Sequence, residues 1–302
     1  VCLILWLGAA GAAAARSIQL DDLLQAEDLG QAAIGPGGRW LVIETLAPYD
    51  RAPSFDFGGF SQPNLGRLMV ADLERPGPAQ PLFSQEADAG YIAGPFSPKG
   101  QSMIVYRFRE RVWDTGVVDL ATRQVRWLGI ATERAAYGRS LQWRSATELV
   151  LIALPEGSAP LHLRVGWEAM DRLPDLWRRA RLGRDATVNV AGSGRFLDRR
   201  AIPKARRLLK VDLRSGVIET LASGGFFDLE LSPTGRYLAA IADAEPIPLR
   251  LNDLVRVGMP TRRRDLIIVD LATSAVRRPC ETCDLLALLL AWSPAGERLL
   301  VF

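Results

Sequence analysis

Histidine is almost missing from this chain: His162 is the single one in 302 residues. A His-rich metal centre, or a complete His-dependent acid–base apparatus, has no material here. No Gly-x-Ser-x-Gly stretch occurs, so the turn that presents the serine of an α/β-hydrolase is not encoded. There is no P-loop and no cluster of metal-ligating residues. "AGSGR" (191–195) is rich in glycine but lacks a phosphate-binding pattern, and reads as a simple turn of the chain. An excess of either charge is also lacking: 37 Lys and Arg stand against 34 Asp and Glu. The overall balance gives no argument for nucleic acid as a partner. No cofactor is expected.

Long hydrophobic runs are absent except at the very start. "VCLILWLGAAGAAAA" carries no charge and ends in Ala13-Ala14-Ala15, with Arg16 next. It reads as the apolar core and small-residue cleavage site of a signal peptide over residues 1–15. An uncleaved anchor is the other reading, although the run is short for a membrane span. No Met and no basic leader precede it, so the start reads as trimmed. No other segment is apolar enough to cross a bilayer, so no membrane span is expected after cleavage. Export implies an oxidising compartment, and the expected location is periplasmic or secreted.

Cysteine is scarce as well, with three in all. Cys2 falls in the signal, which leaves Cys280 and Cys283 in "RRPCETCDL". A C-x-x-C can be a redox motif, half of a zinc site or a local disulfide. Zinc needs more ligands than are at hand, and a redox pair belongs at a helix start in a βαβ setting that is not legible here. In an oxidising compartment a disulfide between Cys280 and Cys283 is the expectation; two free thiols are the alternative.

What the chain has in abundance is a repeated phrase. "IGPGGRWLVIE" (34–44), "FSPKGQSMIVY" (96–106), "LSPTGRYLAAI" (231–241) and "WSPAGERLLVF" (292–302) share one grammar. An apolar residue is followed by Ser/Gly-Pro-x-Gly and then by a β-rich apolar run. Pro presets the turn and Gly supplies the positive φ that closes it. "LQWRSATELVLIAL" (141–154) has the same shape without Pro-Gly. A second phrase answers each copy: "LMVADLERPG" (68–77), "GVVDLATRQ" (116–124), "LLKVDLRSG" (208–216) and "LIIVDLATS" (266–274). Each is a strand ending in Asp-Leu before a tight turn and another short strand.

The unit is therefore a four-stranded antiparallel meander, A to D. Serial copies are the signature of a β-propeller. The spacing predicts blades at about 34–84, 91–129, 140–222 and 226–280, and a fifth opening over 286–302. Residues 16–33 would form an N-terminal segment with a short helix in "LDDLLQAEDLG". A β-sandwich with coincidental turns is the competing all-β reading. Because the chain stops inside a hairpin, it reads as a fragment of a longer protein.

In such a blade the A–B and C–D turns share one face. The B–C loops and D-to-A connections share the other. The former are short almost everywhere. The latter include "LAPYDRAPSFDFGGFSQPNLG" (46–66), the third-blade insert (about 155–205) and "DAEPIPLRLNDLVRVGMPTRR" (243–263). Elaborated loops on one face of a regular scaffold usually carry recognition, so this face is expected to meet a substrate or another domain. The insert contains Trp167, Leu173, Leu176, Trp177 and Leu182 at helical spacing, with Pro174 near a predicted helix start. Two readings stand: a short helix packed on the rim, or an arm that contacts substrate. From Arg172 to Arg214, thirteen Lys/Arg face four Asp/Glu, which suits an acidic partner or a solvated basic surface.

No catalytic, cofactor-binding or metal residue emerges. The aspartates of the Asp-Leu turns, Asp72, Asp119, Asp212 and Asp270, read as turn formers. His162, in "PLHLRV", reads as a structural residue on a strand or strand edge.

The order of signal, "DDLLQAEDLGQAAIGPGGRWLVIE", "GYIAGPFSPKGQSMIVYR", "ALPEGSAPLHLRV" and "LPDLWRRARLGRDATVNV" resembles the N-terminal part of prolyl oligopeptidase-type serine peptidases. Among them it looks most like the lasso peptide isopeptidases, over most of residues 17–302. The resemblance implies an exported enzyme whose propeller sits on a C-terminal α/β-hydrolase domain. That domain would hold a Ser–His–Asp triad and open the macrolactam ring of a threaded peptide. It is absent from this sequence, so no triad residue carries over and these residues alone would be inactive. The implied partners are a peptide substrate and that hydrolase domain. TolB-like propellers share the blade motifs, so a non-enzymatic periplasmic propeller that binds a protein partner is the alternative.

Overall fold

The computed structural model describes residues 17–52, 62–75, 77–134, 138–184, 205–248, 262–286 and 289–302. The segment read as a signal peptide, the "AGSGR" stretch and most of the 243–263 loop lie outside these residues.

Four sheets of four antiparallel strands follow one another along the chain, each in simple meander order. The first blade is β1 (Asp28–Ile34), β2 (Trp40–Leu46), β3 (Gly66–Asp72) and β4 (Gln80–Pro81). The second is β5 (Gly90–Phe96), β6 (Ser102–Arg109), β7 (Val112–Asp119) and β8 (Val125–Trp127). The third is β9 (Leu141–Trp143), β10 (Glu148–Ala153), β11 (Arg206–Asp212) and β12 (Ile218–Gly224). The fourth is β13 (Phe226–Leu231), β14 (Tyr237–Pro246), β15 (Arg262–Asp270) and β16 (Ala275–Arg277). A hairpin of β17 (Leu290–Trp292) and β18 (Leu299–Val301) comes last. The fold is an all-β propeller.

The hairpin grammar has a clear physical origin. The amides of Gly38, Gly100, Gly235 and Gly296 each donate to the carbonyl three residues back, at Gly35, Ser97, Ser232 and Ser293. All four glycines have φ between +64° and +76°, the left-handed region that a side chain resists. At Gly100 the space is closed too: a Cβ would come 2.3 Å from the Pro36 carbonyl of the preceding blade. The serine adds a second lock. Ser97, Ser232 and Ser293 accept the amides of Ser102, Tyr237 and Arg298 on the returning strand. In the other turn, Asp72, Asp119, Asp212 and Asp270 accept the amide two residues on, as turn-forming aspartates do. These bonds hold the carboxyls of Asp212 and Asp270 below their ordinary range; at Asp72 the paired Arg39 does so first.

The core lies between consecutive sheets, not inside any one of them. One apolar cluster joins the first and second blades through Val42, Leu68, Tyr91, Met103 and Val118. A second joins the second and third through Ile104, Phe108, Leu149, Leu151 and Leu209. A third joins the third and fourth through Val150, Ile152, Phe226, Leu238 and Val269. A fourth ties the last hairpin to the fourth blade through Ala239, Ile241, Leu266 and Leu290. Central strands are thus apolar on both faces, as "MIVY" and "LVLI" are. Each such buried side chain contributes about 1.5–3 kcal/mol. Face-to-face packing of successive meanders is what distinguishes this arrangement from two opposed sheets.

The structure departs from the sequence reading in three places. The N-terminal helix is only α1 (Leu20–Leu24), and Asp28–Ile34 is already a strand, paired Asp28↔Leu46 to Ile34↔Leu41. The propensity of "LDDLL" does not extend through Gly30, where a side chain would press on Glu44. A four-residue turn of helix, α2 (Gln62–Leu65), leads into β3. The third-blade insert is not a short helix. It is α3 (Leu161–Arg181), 21 residues long, and His162 lies in its first turn, not on a strand.

Candidate functional site

Among the described residues, the face that carries the B–C connections holds the 3-10 turn of the first blade and the helical insert of the third. In the second blade that connection is two residues, Glu110 and Arg111, both with positive φ (47° and 68°), as a tight hairpin requires. In the first blade it runs from Leu46 to Gly66 and includes a 3-10 turn at Tyr49–Arg51. In the third it contains α3.

The helix does not stay on its own blade. Leu163, Gly166 and Trp167, one face of its first two turns, are buried. Trp167 stacks on Phe108 of the second blade, ring centroids 5.6 Å apart. Arg111, in the second-blade hairpin, grips Asp171 with both Nη atoms at 3.0 and 3.1 Å. Beyond this point the helix leaves the body. Of the expected stripe only Trp167 is buried: Leu176 and Leu182 are exposed and Trp177 is 68% exposed. Pro174 sits inside the helix, not near its start. Its ring leaves the Met170 carbonyl without a helical donor, which is affordable because this half of α3 faces water. The arm bears Arg172, Arg178, Arg179 and Arg181 beside the apolar Met170, Leu176 and Trp177.

Charged side chains knit the blade seams on this face. Arg107 and Arg109 pair with Glu86, in the connection between the first and second blades. Arg139, in the connection before β9, reaches across to the fourth blade. Its Nη2 is 3.0 Å from Asp228 and its Nη1 is 2.8 Å from Glu230. Nη2 also donates to the Leu290 carbonyl at the start of the last hairpin, at 2.6 Å. Burial opposes the charge of Arg139, but Asp228 and Glu230 outweigh it and hold its pKa above the usual value. Sequence reasoning missed this residue, because nothing in "YGRSLQW" marks an arginine that joins three blades.

Between the third and fourth blades the same face opens into a cavity of ≈ 390 Å³. It is lined by Leu154, Pro155, Ser158, Ala159, Arg164 and Arg206 from the third blade and its insert, and by Gly225, Phe227 and Asp243 from the connection to the fourth blade and the fourth blade itself. Arg206 is fixed by a bond to the Phe226 carbonyl (2.5 Å) and by an ion pair with buried Glu133 (2.9 Å). That contact is electrostatic, since Glu133 Oε2 lacks hydrogen-bond geometry to any described donor. Arg264 lies over the Phe227 ring, 4.7 Å from its centroid. Burial pushes the Asp243 carboxyl above its ordinary range, against the pull of Arg262, Arg264 and Arg206.

His162 has a buried Nε2 with no hydrogen-bond partner among the described residues. Burial, and then the charge of Arg134, lower its pKa and favour the neutral ring. Among the described residues no three His, Cys, Asp or Glu side chains are placed to hold a metal. Cys280 and Cys283 lie 5.5 Å apart at Cα with their sulfurs joined, beyond β16 and far from the cavity walls in sequence. No helix among the described residues is long and apolar enough to cross a membrane.

No protein-family profile matches the sequence, and no curated protein matches it either. Solved structures similar to the chain include TolB from Acinetobacter baumannii, at 12% identity and a TM-score of 0.40, over 88% of this chain and 47% of that one. Another is an acylaminoacyl peptidase from Pyrococcus horikoshii, at 11% identity and a TM-score of 0.48, over 92% of this chain and 36% of that one. A third is the β-propeller domain of the Trilobed protease from Pyrococcus furiosus, at 11% and 0.42, over 86% and 58%. The chain spans less than half the length of the first two.

Proposed function

We propose that this chain is the substrate-gating propeller of an exported serine peptidase of the prolyl oligopeptidase type, acting on the isopeptide bond of lasso peptides. The observation that carries the reading is the asymmetry of the disc. One face is closed by tight turns; the other carries the long B–C connections and an exposed, cationic, Trp-bearing arm. A rigid scaffold with loops on one face is suited to choosing what reaches a neighbouring active site. In this reading the catalytic Ser, His and Asp belong to an α/β-hydrolase domain outside these residues, which supplies base activation and an oxyanion hole. The propeller's part is steric and electrostatic. Loops 46–66, 155–205 and 243–263 contact the compact peptide, and compartment and partner follow: the periplasm or exterior, and the hydrolase domain itself. A TolB-like propeller that binds a protein partner is the second reading, since Ser-Pro-x-Gly hairpins suit it equally.

The test is to join this chain to its downstream sequence and offer the enzyme a threaded lasso peptide. Mass spectrometry is expected to show the addition of one water as the ring opens. Removing the arm (169–184) is expected to slow turnover of the threaded peptide more than that of an unthreaded linear one. Equal effects on both would overturn the gating role, and no hydrolysis would favour the second reading.

A further inference from the structure

We propose that the cavity between the third and fourth blades receives the carboxy-terminal residue of a peptide. Ser158, Arg164 and Arg206 take the carboxylate, and Asp243 takes the backbone N–H of the same residue. The proposal rests on the reading that this face meets a peptide, and names the group it recognises.

The hydrogen-bond inventory of the walls points this way. Arg164 uses Nε on the Ala159 carbonyl (3.0 Å) and Nη1 on Glu168 (2.6 Å). Its Nη2 donates to no described residue. Arg206 donates Nη1 to the Phe226 carbonyl and holds Nη2 in an ion pair with Glu133, and its Nε has no described acceptor. Each guanidinium is anchored on one side and keeps free N–H groups, so little side-chain entropy is lost when an anion arrives. Asp243 is half-buried, yet no described donor reaches its carboxylate. Its position is fixed: the backbone amide of Asp243 donates to the Gly225 carbonyl at 2.9 Å, and a Cβ on Gly225 would come 2.3 Å from its Oδ2. A half-buried carboxylate that lines the cavity and is met by no described donor keeps its acceptor capacity for a ligand.

The charges select among ligands. Four guanidiniums, Arg164, Arg206, Arg262 and Arg264, gather around three carboxylates, Glu133, Glu168 and Asp243. One positive charge is left over, which suits a monoanion and opposes a free amine. An acylated residue with a free carboxylate supplies one negative charge and one uncharged N–H. Leu154, Pro155, Ala159 and Phe227 offer apolar contact to its side chain, and ≈ 390 Å³ lies in the range of small-molecule sites.

The probes are N-acetyl-para-fluorophenylalanine and its carboxamide, followed by fluorine NMR on the intact chain. The acid is expected to bind at least about tenfold more tightly than the carboxamide. Arg164→Gln is expected to abolish that preference. Ser158→Phe, which fills the cavity from an exposed loop, is expected to abolish binding of both, and Arg214→Gln on the opposite face to change nothing. Circular dichroism melts establish that each variant is folded. Equal affinity of acid and carboxamide would overturn the carboxylate site while leaving the gating face intact. So would a preference that survives both cavity variants. No binding of either probe would overturn the site, whereas the gating face fails if removing the α3 arm affects turnover of threaded and linear peptides equally.

Discussion

The indole of Trp167 lies on the ring of Phe108 with their planes only 10° from parallel. One residue belongs to an insert of the third blade and the other to a strand of the second. The contact therefore fastens α3 across a seam and determines where its free half begins. Trp167→Ala is expected to cost about 3–5 kcal/mol, the usual range for a large buried aromatic. Trp177→Ala, one arm length further on, is expected to stay within about 0.5 kcal/mol. Urea unfolding of the two variants checks this; equal losses would mean that the helix is not held at Trp167.

Arg139 is expected to be the costliest arginine to remove. Its guanidinium neutralises Asp228, whose side chain is fully buried (0% exposed). Arg139→Met strands that carboxylate, a loss of about 3–5 kcal/mol. Adding Asp228→Asn is expected to recover part of it, because the amide oxygen can still accept from the backbone amides of Arg139 and Leu229. A double-mutant cycle measured by chemical denaturation gives the coupling; strict additivity would refute the pairing.

His162 is expected to make the protein acid-sensitive. Its folded pKa lies below the ordinary 6.5, chiefly through burial. The unfolded chain therefore takes up the proton first as the pH falls. Stability contributed by the neutral ring is complete above about pH 6.5 and declines as the pH drops from there towards the folded pKa. His162→Phe removes this slope. Urea midpoints at about pH 5 and about pH 7, for both proteins, measure it. Since there is no second histidine, the difference between the two proteins isolates this residue; parallel profiles would refute the shift.

We propose that Cys280 and Cys283 are oxidised in the exported protein. Thiol titration under denaturing conditions, after removal of residues 1–15, is expected to find no free thiol. The loop they close is short, so replacing both by serine is expected to cost about 2 kcal/mol or less. Two titratable thiols would overturn the assignment.

Much of the fold was legible because its information is local. Gly100 and Gly235 announce turns, and Asp119 and Asp212 announce others, since each acts on amides a few residues away. The site was less so. His162 was misread because "PLHLRV" alternates like a strand. The burial of Leu163, Gly166 and Trp167, spaced i, i+3, i+4, is what makes it helix. Leu176 and Trp177 fit the helical period but not the burial, because spacing records which face a residue occupies and not whether anything lies against it.

The sequence by itself determined the blade: strands apolar on both sides, glycines at positive φ and carboxylates that cap their own turns. All of these are interactions between near neighbours in the chain. Only the tertiary structure decided that Arg139 meets Asp228 and Leu290, that Arg164 meets Arg206 across a cavity, and that Trp167 reaches Phe108. Arg139 and Asp228, like Trp167 and Phe108, lie on different blades, and Arg164 and Arg206 are set apart by the insert of the third; their distances depend on how the sheets and the insert pack together, a relation that no residue spacing encodes.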